Sequence, residues 1–336
     1  MTVSVIIPCY NEEDSITDLL VAIYEQSFPR DEIEVIISDG ISTDATREKI
    51  ADFGNEFPDL KLKVIDNRKK TIPSGLNQAI QAASGEYIIR LDAHSNPHPD
   101  YIARSVRALE DGLGDNIGGV ISIQAANEGW ISQSIAIAAG LPLGVGDARY
   151  RIGSEPGEVE TVAFGAFRPE LIDRIGFFDE TLLANEDYEF NVRIRKAGGK
   201  IWLDPAIQAN YISRSTLREL SAQYWRYGYW KLRMLLRYPE TFRWRQISGL
   251  FVLSWLVLGS LSIWFPAARW LLAAEAAVYG GALILAGIGV GTDKKSLLLG
   301  LGVPLAIATM HFSWGSGFLW SLLVNSFDKI FRKEPD

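Results

Sequence analysis

Residues 3–14 read VSVIIPCYNEED, and this stretch decides the fold. Residues 3–7 form a short, mostly β-branched run of the kind that fills a strand buried on both faces. Pro8 lacks an amide hydrogen and is expected to stop it. Asn11 or Asp14 can then cap a helix reaching about Glu25. The same cadence recurs downstream. Residues 33–38 make a second buried strand, and in the DGISTDAT segment after it residues 42–44 can open another helix. Residues 62–65 form a third strand, 73–83 a helix ended by Ser84-Gly85, and 86–91 a fourth strand running into Asp92-Ala93-His94. Strands alternating with helices predict a parallel sheet covered by helices on both faces. Such sheets bind ligands beyond the carboxyl ends of their strands. The polar residues gather at those ends: residues 10–12, Asp39, and residues 92–94.

The chain of 336 residues suits one α/β domain of roughly 200 residues plus an appendage. A net charge of −8 argues against general nucleic-acid binding, which needs a basic surface. Cys9 is the only cysteine, so no internal disulfide can form and a reducing compartment fits. The N-terminus lacks a basic region followed by a long apolar run, so no signal peptide is expected and the front of the chain should stay in the cytoplasm.

From about 115 to 213 the pattern loosens. Strands are expected at 120–124 and 200–203, and a helix at 185–197 closed by Gly198-Gly199. Aromatic and basic residues then mix: Tyr224, Trp225, Arg226, Tyr227, Trp230, Lys231, Arg233, Trp244, Arg245. That mixture suits amphipathic interfacial helices over 214–246. Charge then vanishes. Residues 247–268 hold none, 270–292 hold only Glu275, and 296–327 hold none. A bilayer core takes about 20 apolar residues per helix. Spans are therefore expected at about 247–268, 270–292 and 297–323, with Pro304 and Gly315-Ser316-Gly317 breaking the last, and residues 328–336 as a tail. Burying three such segments inside a soluble protein is the competing account. Arg243 and Arg245 before the first span and Lys294 and Lys295 after the second put both flanks in the cytoplasm. Lys329, Arg332 and Lys333 pull the tail the same way, which three simple spans do not satisfy.

Several clusters carry candidate chemistry. Pro8-Cys9-Tyr10-Asn11-Glu12 ends the first strand; Asp39-Gly40, with Ser42, Thr43, Asp44 and Thr46, ends the second. A carboxylate at a strand end can accept the imino hydrogen of a uracil ring while first-loop backbone flanks the base. Ordinary loop chemistry, with Gly40 in a tight turn and Asp44 as a cap, explains the same residues. In Leu91-Asp92-Ala93-His94, alternation along an extended segment sets residues 92 and 94 on one side. A carboxylate and an imidazole there can share a divalent ion that bridges two phosphates; a loop histidine bonded to backbone is the alternative. Asn185-Glu186-Asp187-Tyr188-Glu189-Phe190 puts acids in the first turn of a helix, where the helix dipole also favours them.

In order and separation these clusters resemble family 2 glycosyltransferases, over about residues 2–232. The resemblance implies a GT-A (Rossmann-like) α/β transferase domain over 1–213, followed by C-terminal transmembrane helices. It implies a UDP-sugar donor whose nucleotide lies among Pro8, Tyr10, Asn11, Glu12, Asp39, Asn77 and Asp92, with residues 68–70 near the phosphates. Asp92 and His94 are implied to hold Mn2+ or Mg2+. The family pattern is Asp-x-Asp, and His94 stands in place of the second acid, which favours the softer manganese. A similar Asp-x-His variant occurs in bacterial exopolysaccharide transferases of the succinoglycan type. Asp187, with Glu186 beside it, is implied to be the base that takes a proton from the acceptor hydroxyl in an inverting transfer. The metal serves the departing diphosphate, so a second catalytic carboxylate is not required.

Gln223-Tyr224-Trp225-Arg226-Tyr227 resembles a relaxed Gln-x-x-Arg-Trp motif, with Gln223, Arg226 and Tyr227 at the diphosphate or acceptor; snorkelling arginines on an interfacial helix account for it equally. Gly165 and Ala166 match a small-residue loop beside the acceptor. The implied reaction moves a sugar from a UDP-sugar to a membrane-associated, polyprenyl-linked acceptor in polysaccharide or glycolipid synthesis, at the inner membrane with the catalytic domain in the cytoplasm. Two alternatives stand beside it. One is direct transfer to polyprenyl phosphate, whose ionised acceptor needs no base. The other is a non-catalytic nucleotide-binding membrane scaffold, favoured by His94 alone. A nucleotidyltransferase is disfavoured because its glycine-rich, arginine-bearing first loop is missing.

Overall fold

The computed structural model describes residues 1–153 and 155–331. The expectations for the side chains of Trp244, Arg245 and Lys329, and for Arg332 and Lys333, lie outside the described residues. The strands are β1 (Val3–Cys9), β2 (Ile33–Asp39), β3 (Lys61–Asp66), β4 (Tyr87–Arg90), β5 (Ser95–Pro97), β6 (Asn116–Gln124), β7 (Gly157–Glu158), β8 (Ala166–Phe167) and β9 (Ile201–Ile212). The helices are α1 (Ile16–Tyr24), α2 (Thr46–Glu56), α3 (Ile72–Ala82), α4 (Tyr101–Glu110), α5 (Trp130–Ala138), α6 (Pro142–Val145), α7 (Arg149–Ile152), α8 (Glu170–Ile175), α9 (Glu186–Lys196), α10 (Leu217–Arg237), α11 (Ser248–Leu261), α12 (Pro266–Asp293) and α13 (Leu297–Phe331). They form two compact units: Met1–Ser122 with Arg149–Tyr211, and Ile123–Ala148 with Ile212–Asp336.

In the first unit the sheet order is β3-β2-β1-β4-β8-β6-β9-β5, with β7 on β9. β3, β2, β1 and β4 are parallel, as their alternation with α1, α2 and α3 dictates. β8 then runs antiparallel to both β4 and β6. The sheet is therefore mixed rather than parallel throughout. β5, β7 and β8 are only two or three residues long, too short to carry the alternation from which a sequence announces a strand. The core is aliphatic along the sheet, with Ile6, Ile36 and Leu76 buried. It ends in Phe178 stacked on Phe190 at 4.3 Å.

Pro8 does not stop β1, which continues to Cys9. The reason lies in the ladder. The Ile6 carbonyl accepts from Leu91, so by alternation residue 8 faces the same side. The β1–β4 register ends at Ile6–Arg90, so the missing amide hydrogen costs no ladder bond.

The second unit corrects two expectations. Residues 214–246 hold the long helix α10, followed by short 3-10 helices at Pro239–Thr241 and from Trp244. The long helix opens on a capping box in which the Glu219 amide donates to Thr216 Oγ1 at 3.2 Å. The expected span at 247–268 is broken, because Pro266 starts a new helix and the Arg269 guanidinium satisfies the Ser262 and Ile263 carbonyls at 2.6 and 3.2 Å. α11 keeps 14 residues, about 21 Å at helical rise, short of the ~30 Å hydrocarbon core. Among the described residues two helices are long and apolar enough to cross a membrane, Pro266–Asp293 and Leu297–Asn325, with mean hydropathies of 1.8 and 1.6.

The last segment is unbroken. Pro304 lies inside α13 with its ring against Gly287 of α12. Gly317 is not a break either. A Cβ there would stand 2.1 Å from the Trp225 carbonyl oxygen, and one at Gly228 would stand 1.9 Å from that of Trp314. These glycines let α10 and α13 cross with their backbones in contact. Gly228→Val is expected to cost about 1–3 kcal/mol, lowering the thermal midpoint of the full chain in detergent; an unchanged midpoint would contradict the close crossing.

Candidate active site

The rim of the first unit is assembled from loops that leave the carboxyl ends of β1 and β2. The loops are laced together. The Asn11 amide donates to Ser42 Oγ at 2.9 Å, the Glu12 amide to Thr46 Oγ1 at 2.8 Å, and the Thr43 and Ala45 amides to the side chains of Asn11 and Glu13, each at 2.9 Å. Asn11, Ile41 and Lys70, each just past a rim strand, have φ of 54°, 59° and 56°. Ile41 is β-branched, so its left-handed backbone is costly and persists only because surrounding bonds hold it. Tyr10 is 45% exposed, with Lys70 Nζ 5.2 Å from its ring centre.

Asp39 is fully buried. Its Oδ1 accepts from Ser42 Oγ at 2.5 Å, and its Oδ2 accepts from the Ser42 amide at 3.0 Å and from Arg47 Nε at 2.5 Å. Arg47 reaches on to Asp66. Asp39 organises the loop through these three bonds, which leave lone-pair capacity on Oδ1. Asn77 is buried in α3. Its Nδ2 donates to the Phe178 carbonyl at 2.9 Å and to Glu180 at 3.1 Å, and its Oδ1 accepts from the Phe178 amide at 2.9 Å. It clamps the 178–180 loop. Lys69 pairs with the same Glu180 at 2.6 Å.

The Asp92–His94 segment is a turn rather than an extended strand, closed by the Ser95 amide on the Asp92 carbonyl at 2.9 Å. The two side chains are directed by different partners. His94 Nδ1 lies 3.0 Å from Glu12 Oε1, and its ring meets Tyr211 edge-on at 4.7 Å. A carboxylate can only accept, so Nδ1 carries the hydrogen in this contact. Nε2 is buried without a hydrogen-bond partner. A carboxylate-oriented imidazole with an unused ring nitrogen fits a metal ligand. Among the described residues no three His, Cys, Asp or Glu side chains group to hold an ion by themselves. The unpaired Nε2 of His94 and the carboxylate of Asp92 are of donor types that a divalent cation accepts.

Arg90 joins the rest. It is 6% exposed in β4. Its Nε and Nη2 donate to Asp92 Oδ1 at 3.2 and 3.1 Å, and Nη2 also donates to Glu186 Oε1 at 3.0 Å. Burial works against its charge, but the carboxylates of Asp92, Glu186 and Asp187 outweigh that and hold the guanidinium firmly protonated. Burial is also the largest influence on Glu186 and pushes its carboxyl up, with Arg90 opposing and Asp187 adding to the rise. Asn185 turns the chain into α9 with φ of 63°. Asp187 follows in the first turn, partly exposed, its Oδ1 accepting from the Tyr188 amide at 2.7 Å. Distant stretches thus bring Asp92, Glu186 and Asp187 around one arginine that the motifs passed over. The signal was present: a lone charge in the otherwise apolar 87–91 run.

Gly165 and Ala166 do not line an open acceptor loop. Gly165 accommodates the Asn116 side chain, which a Cβ would meet at 2.1 Å, and its carbonyl accepts from the Arg90 amide at 3.0 Å. Ala166 is fully buried in β8. Gln223, Arg226 and Tyr227 lie on α10 in the second unit; Arg226 is exposed, the other two partly so.

Parallel strands β3 to β4, an antiparallel extension, and acids gathered past the β-strand ends define a GT-A-like domain, the fold of nucleotide-sugar transferases. The chain belongs to Glycosyl transferase family 2, whose model matches residues 4–176, more than half of the 336. It is 29% identical over 322 residues to the succinoglycan biosynthesis protein ExoA of Rhizobium meliloti (strain 1021), covering 95% of this chain and 94% of that protein. Its fold is similar to the mannosyltransferase PcManGT from Pyrobaculum calidifontis, solved with GDP-Man and Mn2+, at a TM-score of 0.62 and 20% identity over 95% of this chain and 86% of that one. S. aureus TarS in complex with UDP-GlcNAc is similar at a TM-score of 0.52 and 16% identity, over 96% and 92% of the two chains.

Proposed function

We propose that this chain is an inverting, metal-dependent transferase that moves a sugar from a UDP-sugar to a membrane-associated, polyprenyl-linked acceptor in polysaccharide or glycolipid synthesis. The observation that carries the reading is the meeting of Asp92, Glu186 and Asp187 around buried Arg90, with His94 Nε2 unpaired two residues from Asp92. Asp92 and His94 would hold Mn2+ or Mg2+, which when bound supplies Lewis-acid stabilisation of the departing diphosphate. Glu12 orients the His94 ring. Glu186 is committed to Arg90, which leaves Asp187 as the acid open to the acceptor. Asp187 takes the hydroxyl proton as the acceptor oxygen attacks C1 from the face opposite the diphosphate, so one C–O bond forms, one breaks, and the configuration inverts. Exposed Tyr10, with Lys70 over it, offers a face for the base.

The similar folds of TarS in complex with UDP-GlcNAc and of PcManGT with GDP-Man and Mn2+ support a nucleotide-sugar donor and a divalent ion. Helices α12 and α13 and the likeness to ExoA support membrane association. The test is a screen of UDP- and GDP-sugars against full-length protein with Mn2+ in membranes containing lipid-linked sugars, scored by nucleotide release. One UDP-sugar should be consumed with a lipid-linked product. Silence with every donor, or release from GDP-sugars alone, would overturn the reading.

Glu12→Gln should weaken Mn2+ affinity about 10–100-fold, the usual loss when an imidazole's orienting carboxylate is removed. The check is a Mn2+ titration of UDP binding by calorimetry. An unchanged Mn2+ midpoint would detach Glu12 from the metal.

A further inference from the structure

We infer that Arg90 is a positioning residue of the transfer site, its fork tying the metal-facing Asp92 to the acceptor-facing first turn of α9 so that the two motifs keep one geometry. This rests on the function proposed above. Three observations carry it. First, the guanidinium spans two elements 96 positions apart in sequence, with Asp92 Oδ1 at 3.1 Å and Glu186 Oε1 at 3.0 Å from the same Nη2. Second, β4 holds Arg90 rigidly: its own amide donates to the Gly165 carbonyl at 3.0 Å, and its Cα register is paired with Ile6 of β1. Third, the cluster is expensive to keep. The Arg90 and Glu186 side chains are each only 7% exposed, and Arg90 Nη1 is buried with no partner. Burying such a pair costs desolvation that well-packed apolar residues avoid, so stability alone gives no reason for it. Transfer geometry does. The metal side and the base side must stay in fixed relation while C1 passes between them, and a planar fork sets two carboxylates at once where an ammonium sets only a distance.

The experiment uses the full chain in detergent, with Arg90→Lys and the doubly neutral Arg90→Met/Glu186→Gln. Each is measured for Mn2+-dependent UDP affinity, thermal midpoint, and kcat and KM with the active donor. Arg90→Lys should bind UDP with Mn2+ within about threefold of the parent and lower kcat about 100-fold, since an ångström of misplacement costs that much, with KM little changed. The double variant, relieved of both buried charges, should fold and bind UDP but stay as slow as Arg90→Lys. Wild-type kcat in either variant would overturn the inference. So would loss of UDP binding in step with a lowered midpoint in both, which marks a folding role alone. If the parent chain neither binds UDP with Mn2+ nor consumes a donor, the proposed function itself fails. An active parent with indifferent Arg90 variants sinks only the positioning role.

Discussion

Asp187→Asn is expected to lower kcat by about 10²- to 10⁴-fold, the range for loss of a general base, while donor KM and Mn2+-dependent UDP affinity stay near the parent values. The side chain keeps its size, so the helix start is undisturbed; only the capacity to take a proton goes. Asp187 is open in the first turn of α9, whereas its neighbour Glu186 is engaged by Arg90. The companion variant is therefore informative. Glu186→Gln keeps a carbonyl oxygen that can still accept from Arg90, and its effect on kcat should be the smaller of the two. Single-turnover kinetics with lipid-linked acceptor would check both. If Asp187→Asn turns over like the parent, or if Glu186→Gln is the slower, the base has been misassigned.

Removing the metal or its ligands should have an effect as large. Chelation should take turnover to background, Mn2+ should restore it, and Asp92→Ala should lower kcat/KM by about 10³-fold or more, because several kcal/mol of leaving-group stabilisation goes with the ion. His94→Asp is the sharper test. It places an oxygen ligand where the structure has an imidazole with a free Nε2. It should keep measurable activity and lower the ratio of Mn2+- to Mg2+-supported turnover, since carboxylate oxygen suits the harder ion. Turnover undiminished after exhaustive chelation would refute metal dependence, and an unchanged ion preference in His94→Asp would remove His94 from the coordination.

Both predictions concern residues that stood out along the chain, but the chain alone did not rank them. Asp39, Asp92 and Asp187 read alike there, as polar groups at element ends, and Asn77 as one inside a helix. In the structure Ser42 and Arg47 hold Asp39, and Phe178 and Glu180 hold Asn77. Arg90 was overlooked because a charge in a strand is judged by its neighbours in sequence, and its partner Glu186 comes from another element. Gly315-Ser316-Gly317 reads as a helix break because glycine weakens an isolated helix; Gly317 against Trp225, with Gly228 against Trp314, permits a close crossing instead.

What the sequence determined by itself is the parallel half: β1 to β4, the helices between them, and the polar rim at the strands' carboxyl ends. Those follow from runs of a few residues and their punctuation, which are local. The apolar length of α12 and α13 is local too. Only the tertiary structure decided the antiparallel completion of the sheet, the shortness of α11, and which carboxylates remain free. Each of those turns on partners far away in sequence, and a buried polar group is spent or available according to who satisfies it in space.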